Sequence, residues 1–317
     1  MQYFSASDIA ERLTYEDCIP VMRTAMARLS TGQTQQMLRQ ILPLGAGNMF
    51  GIMAGTLGEA EAFGSKLVAV SPARSDTSKS SHKGVVVLFD KDTLEPYCLA
   101  EAGMITAIRT ASASAMATGL LARSDASVLT VIGTGEQAHH HALAMTKIRQ
   151  LNEIRIWGRD PEKACSLAER LEGKTLVKTR PYETVAAAVN GADIICTVTS
   201  ARDPVLFAQM VAPGTHVNVV GSSFDGPREI DDALVAVARF FVDSKPSVMA
   251  QGSEYRHALS SGAISESHIL GEIGEVALGQ ITGRYSDTDI TIYKSLGHVV
   301  QDIAAVAYIQ ANSESLT

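Results

Sequence analysis

The sequence predicts an α/β protein in two parts, a contiguous parallel-sheet domain and a discontinuous outer domain built from both ends of the chain. Three observations carry this reading. From about residue 127 onward, strand-like apolar runs alternate with helical patterns. The first of those runs, "ASVLTVIGTGEQAHHHALAM" at 126–145, breaks into Gly-Thr-Gly and continues directly as a helix-forming stretch. A further helical pattern at 291–311 lies beyond the alternating region and can return to the elements that precede it.

The bulk numbers permit this architecture and exclude several function classes. With 317 residues, 46% hydrophobic and 19% charged, the chain is long enough for two ordinary domains and apolar enough to bury a sizeable core. A net charge of −7, a pI near 5.6 and the lack of a basic stripe argue against a nucleic-acid partner. No apolar run approaches the roughly 20 residues that span a bilayer. The opening "MQYFSASDIAERL" carries Asp8 and Glu11 where a secretory signal would be apolar. Cys18, Cys98, Cys165 and Cys196 are scattered, without a C-x-x-C, as expected of reduced thiols in a cytoplasmic protein.

The elements follow in order. "YEDCIPVMRTAMARLS" (15–30) places Ile19, Met22, Met26 and Leu29 at helical spacing. "KLVAVSPA" (66–73) and "HKGVVVLFDKDT" (82–93) read as strands, the second ending in a turn. "ITAIRTASASAMATGLLAR" (105–123) is a long helix with a close-packing face of small residues, a natural link between domains. The alternation then runs through strands at 128–133, 153–159, 192–200, 216–223 and 238–244, with helices at 136–145 and 161–171. Such alternation implies a parallel sheet covered on both faces. "TIYKSLGHVVQDIAAVAYIQA" (291–311) is expected to be a helix throughout. The boundaries that result are 116–294 for the contiguous domain, and 1–115 with 295–317 for a discontinuous α+β domain.

Gly133, Gly135 and Ala138 form G-x-G-x-x-A between a strand and a helix. The first Gly permits the tight turn, the second lets backbone approach a pyrophosphate, and the small Ala138 lets helix and strand pack closely. The helix start offers free N–H groups to the anion. This context marks a Rossmann dinucleotide-binding domain, with Thr134, Glu136 and Gln137 as further contacts in the turn. Thr197, Val220 and Gly221, at the ends of later strands, complete the candidate cofactor-binding set. Arg159 lies 24 residues after Gly135, and its guanidinium suits a 2′-phosphate. Asp160 follows at once and would serve a ribose hydroxyl if the turn shifts by one. The cofactor is therefore NADPH or NADH, with the Arg leaning to NADPH. His139, His140 and His141 are adjacent on a helix, do not share a face, and make a poor metal site.

Several stretches resemble the ornithine cyclodeaminase/μ-crystallin family. They are "GSK" at 64–66, "ITAIRTASASAMA" at 105–117, "VIGTGEQA" at 131–138, "REIDDAL" at 228–234, "GEIGEVALGQITGR" at 271–284 and "KSLGHVVQDIA" at 294–304. The resemblance covers most of the chain in the family's order. It implies that the discontinuous domain binds substrate and dimerises, and that the chemistry concerns a carbon bearing an amine or imine beside a carboxylate. By resemblance, Lys66, Arg109 and Arg39 match the family's substrate-carboxylate cations. A bidentate Arg and a point-charge Lys can indeed fix a carboxylate and aim its α-carbon at the nicotinamide. Arg109 also stands out on physical grounds, since its small, apolar helix could hardly bury it unpaired.

One departure separates the reactions. The family's cyclodeaminases and alanine dehydrogenases carry Gly-Ala-Asp at the end of a late strand, where this chain has "VVGSSFDGPREID". Aligned on Gly221 and Glu229, the Asp position holds Ser223, as in the μ-crystallin-like ketimine reductases. Asp225 falls two residues later and could re-enter the site if the loop bends. An imine is easily protonated and then accepts hydride, whereas a cyclodeaminase must move protons on amine and water. The expectation is therefore an NAD(P)H-dependent reductase of α-imino acids, forming L-amino acids, from substrates such as Δ1-pyrroline-2-carboxylate, Δ1-piperideine-2-carboxylate or iminosuccinate. Competing readings are an ornithine cyclodeaminase or amino-acid dehydrogenase with NAD, and a non-catalytic NADPH-dependent binding protein. Arg74, Lys79, His82 and Lys83 form a cation-rich loop that could bind a second carboxylate or simply be solvated. His298 could donate a proton or hydrogen bond to substrate, or be a structural histidine.

Overall fold

Two β-sheets, one mostly antiparallel and one wholly parallel, organise the chain in the computed structural model, which describes residues 1–59, 61–71 and 82–313. The chain divides into a discontinuous unit, 1–113 with 298 onward, and a contiguous unit, 114–297. Among the described residues no helix is long and apolar enough to cross a membrane.

The discontinuous unit begins with β1 (Gln2–Phe4), α1 (Ala6–Arg12) and α2 (Tyr15–Ser30). Ser5 starts α1 through a capping box: its hydroxyl accepts from the Asp8 N–H, and the Asp8 carboxylate accepts from the Ser5 N–H at 2.8 Å. Helix α2 buries Cys18, Met22, Ala25 and Met26. Then come β2 (Gln35–Gln36), β3 (Gln40–Gly45), β4 (Asn48–Thr56), β5 (Phe63–Val70), β6 (His82–Phe89), β7 (Pro96–Glu101) and α3 (Ala102–Leu121), which carries the chain into the second unit. The sheet order is β1-β7-β6-β5-β4-β2, with β3 on β4. Strands β3, β4 and β7 carry no clear signal in the sequence. In β4 the reason is Gly51 and Gly55, poor strand formers. A Cβ on Gly55 would stand 2.8 Å from the Gln35 carbonyl oxygen, so close backbone approach takes the place of side-chain packing there.

The contiguous unit contains β8 (Val128–Ile132), α4 (Glu136–Met145), β9 (Glu153–Trp157), α5 (Pro161–Thr175), β10 (Lys178–Pro181), α6 (Val185–Val189), β11 (Ile194–Thr197), β12 (His216–Val219), α7 (Asp232–Val237), β13 (Arg239–Val242), α8 (Lys245–Gln251), α9 (Ser253–Ser260), β14 (Ile269–Glu272), α10 (Ile273–Ala277) and β15 (Thr291–Lys294). All its strands are parallel, in the order β10-β9-β8-β11-β12-β15-β13-β14. Strand order reverses between β8 and β11, which places a ligand crevice at the carboxyl ends of that pair. Ile132, Ile195, Val217, Val219, Phe240 and Ile292 lie in its core.

Helix α11 (Val299–Ser313) returns to the discontinuous unit, packing on α2 and on β4, β5 and β6. The core there joins Met22, Val86, Leu88, Ile105, Val300, Ile303 and Val306. The helix expected over 291–311 is corrected by the structure. Thr291–Lys294 is a fully buried strand between β12 and β13, and the helix starts only after Gly297, at φ +80°. A strand buried on both faces has no alternation to distinguish it from a helix, and its β-branched and aromatic residues favour the strand.

Candidate active site

In the discontinuous unit, the alternation of β5 turns Gly64, Lys66 and Val68 inward, so a lysine stands on an apolar face. Arg109 comes from α3, among fully buried alanines at 107, 111 and 113. Each of the two is only 3% exposed. What permits this is Asp302 in the first turn of α11. Its Oδ1 accepts from Lys66 Nζ and from Arg109 Nε, each at 3.0 Å. Arg109 Nη1 donates to Gln301 Oε1 at 2.7 Å, and Lys66 Nζ also donates to the Thr106 hydroxyl.

The electrostatics follow from burial. It pushes the Lys66 ammonium down to about 8, helped by the positive charges of Arg109 and Arg39 and opposed by Asp302. Burial works to raise Asp302, but Arg109 and Lys66 outweigh it and hold the carboxyl below its usual value. His298, buried, falls to about 3, so its ring is neutral near pH 7 and proton donation from an imidazolium is disfavoured. Arg39 is half-buried, and its charge is felt at both Lys66 and His298. Lys66, Arg109 and Asp302 together carry one net positive charge in a site nearly closed to water, which suits one carboxylate. Asp302 and Gln301 were missed by sequence reasoning. The available signal was the polar pair Gln-Asp inside the apolar run "VVQDIAAVA", since such an Asp must be buried against a cation. Of the cation-rich loop, Arg74, Lys79 and the His82 side chain lie outside the described residues, and Lys83 is exposed.

In the contiguous unit, the nucleotide turn has the features a pyrophosphate needs. Gly133 has φ +133°, and a Cβ there would stand 2.8 Å from the Val198 carbonyl oxygen. Gly135 is exposed, faces open space, and begins α4 without a side-chain cap, which leaves first-turn N–H groups for an anion. Thr134 is half-buried, and a Cβ on Gly158 would run into its γ-methyl, so Gly158 lets the Thr134 side chain pack closely on the end of β9. Glu136 is exposed, Gln137 half-buried, and Ala138 fully buried beneath the turn. Arg159 is exposed just past β9. Asp160 is committed elsewhere: its side chain caps α5, accepting from the N–H groups of Glu162 and Lys163 at 3.1 and 3.2 Å. These residues fit an NAD(P) coenzyme, with the exposed Arg159 and the cap residue Asp160 both at the end of β9. His141 is buried, with Nε2 2.9 Å from the Ser114 hydroxyl, and among the described residues no cluster of metal ligands occurs.

The ends of β11 and β12 are joined by charge. The buried Glu229 accepts from Thr197 Oγ1 at 2.8 Å and from the N–H groups of Thr199 and Gly221, each at 2.6 Å. Burial raises its pKa, opposed by the Thr199 N–H. Glu254 and Lys294, both fully buried, pair at 2.8 Å, and Lys294 donates to the Ser222 carbonyl and hydroxyl. Val220 and Gly221 are thus presented on a fixed strand end, with the half-buried Ser223 just beyond. Asp225 is different: its side chain is 57% exposed and lies 3.5 Å from Arg256 Nε.

Comparison with known proteins identifies the family and the fold. The model of the ornithine cyclodeaminase/mu-crystallin family matches residues 2–316. Ketimine reductase mu-crystallin of Mus musculus is 34% identical over 97% of this chain and 96% of its own length. A Δ1-pyrroline-2-carboxylate reductase of Bacillus cereus is 32% identical over 98% of this chain and 95% of its own. Among solved structures, Thermococcus litoralis Δ1-pyrroline-2-carboxylate reductase, in complex with NADH and L-proline, superposes with a TM-score of 0.96 at 28% identity, covering 100% of this chain and 98% of that one.

Proposed function

The chain belongs to the ornithine cyclodeaminase/mu-crystallin family, and on that footing we propose that it is an NAD(P)H-dependent reductase that converts α-imino acids to L-amino acids. The observation that carries this reading is the buried Lys66–Arg109–Asp302 cluster, whose surplus positive charge matches one substrate carboxylate. The named relatives support it, since the mouse and Bacillus proteins are imine reductases.

In this reading Lys66 and Arg109, with Arg39, grip the carboxylate beside the C=N bond. Each charge-assisted hydrogen bond contributes about 1.5–3 kcal/mol, and together they hold the imine carbon in one orientation. In the contiguous unit Gly133–Ala138, Thr197, Val220 and Gly221 would hold the coenzyme, and Arg159 would meet its ribose. Bound NAD(P)H supplies the hydride, and a solvent proton completes the amine. The neutral ring of His298, in the same unit as the two cations, is suited to hydrogen-bond the substrate without abstracting a proton. A cyclodeaminase would call on Asp225, and the exposure of that carboxylate beside Arg256 speaks against it. We further assign the protein to the cytoplasm, as a homodimer. The dimer is supported by the exposed Leu42 and Leu44 of β3 and by Met37 just before it.

The test is NADPH and NADH absorbance with a panel of cyclic imines and of acyclic imines formed from keto acids plus amines, iminosuccinate included. Oxidation of coenzyme by at least one cyclic imine is expected. Ammonia release from ornithine without net oxidation, or no consumption with any imine, overturns the reading.

A further inference from the structure

Lys66 and Arg109 come from a strand and a helix with no covalent reason to hold a fixed spacing. Both donate to the same oxygen, Asp302 Oδ1, at 3.0 Å, so the two donor atoms lie within twice that distance of each other. Gln301, the preceding residue on α11, holds Arg109 Nη1 at 2.7 Å and is itself anchored by donating to Met26 Sδ. The start of α11 therefore fixes the guanidinium through two consecutive side chains. The other carboxylate oxygen, Oδ2, is buried and has no hydrogen-bond partner among the described residues. A buried ion cluster is a poor source of stability relative to apolar packing, so the bridging geometry of Asp302 calls for a role beyond stability.

We propose that Asp302 is the positioning residue of the substrate-carboxylate clamp, setting the spacing of Lys66 and Arg109 by bridging them. This rests on the reading of these cations as the imine-carboxylate site. Asp302 does not touch substrate; it acts through the two cations. It is also the counter-ion that favours the charged form of Lys66. The groups facing Lys66 are Asp302 from α11, Arg109 and Thr106 from α3, and the charge of Arg39 from the segment before β3; His298 lies by the same cluster and is neutral. Across the sheet Lys66 pairs with Met53 of β4 and Val86 of β6, which carry no charge. Among the described residues Asp302 is thus the anion that opposes burial and two positive neighbours.

The test compares Asp302→Asn and Asp302→Glu with the parent protein. Imine reduction is followed from pH 6 to 9.5, and binding of pyrrole-2-carboxylate, a planar non-reacting analogue, is followed by calorimetry over the same range. With Asn, one counter-charge is lost, so the pH at which imine KM and analogue Kd begin to rise moves down by about one unit or more. Below that midpoint, where both cations stay charged, affinity changes little, while kcat falls roughly tenfold to a hundredfold because the imine is no longer held in register. Glu keeps the charge but displaces the oxygen, so the midpoint stays and kcat falls. Coenzyme titration reports an intact contiguous unit in each variant. An unshifted midpoint with unchanged kcat in Asn overturns the proposal; should Asn not fold, unchanged kcat in Glu overturns it. Should the parent protein reduce no imine yet bind the analogue with a midpoint that shifts in Asn, the positioning role stands and the reductase reading falls.

Discussion

Two glycines two residues apart should fail in different ways when replaced by alanine. At Gly133 the backbone sits at φ +133°, and a Cβ would meet the Val198 carbonyl oxygen at 2.8 Å and its carbon at 3.1 Å. The obstacle is backbone on a neighbouring strand end, held by the Val198 N–H donating to the Ile132 carbonyl at 2.9 Å, so it cannot rotate aside. The dihedral costs about 1–3 kcal/mol and the overpacking about as much again, together about 2–6 kcal/mol. At about 2–4 °C per kcal/mol, Gly133→Ala should lower the melting temperature of the coenzyme-free protein by roughly 4–24 °C. At Gly135 nothing lies within 4 Å of the added methyl and φ is −82°. Gly135→Ala should leave melting within about 2 °C, or raise it slightly by restricting the unfolded chain. Its methyl instead displaces the pyrophosphate from the turn, losing about 1.5–3 kcal/mol, or roughly 10–150-fold in coenzyme affinity. Thermal melting and NADPH fluorescence titration of both variants decide the matter. A Gly135→Ala protein that binds coenzyme as tightly as the parent would refute the placement of the pyrophosphate over this turn.

Arg159→Ala should raise the KM for NADPH roughly 10–150-fold and leave that for NADH within about twofold, read from steady-state kinetics with each coenzyme. The imine KM should rise as pH climbs through about 8, because burial lowers Lys66 to that value and the clamp loses a charge when its proton leaves. Lys66→Met should remove that alkaline limb and raise KM roughly 10–150-fold at pH 7, seen in the KM profile. Asp225→Asn should keep imine reduction within about twofold of the parent, since an exposed pair contributes little; a large loss in the same assay would return Asp225 to the site.

What could be read from the sequence was what is local. The Gly133–Ala138 turn sits between its own strand and helix, so spacing alone locates it. Arg109 stands out as a charge in a small, apolar helix, whereas Lys66 is picked out by the family resemblance of "GSK". Asp302 escaped because its meaning lies in contacts with residues 236 and 193 positions away in the chain. The same holds for Lys294, which a helical reading of 291–311 would have aimed elsewhere, and for Glu254, whose burial only the fold shows. Spacing does not separate Asp160 from Arg159, and the capping of α5 by Asp160 shows only in the fold. Strands β4 and β15 were obscure for opposite reasons, glycine weakening in one and burial of both faces in the other.

Glu229 holds backbone amides of two different strand ends with one side chain. Solvent exchange at Thr199 and Gly221 should for that reason be synchronous: the two protons become labile in a single event, and any agent that quietens one quietens both.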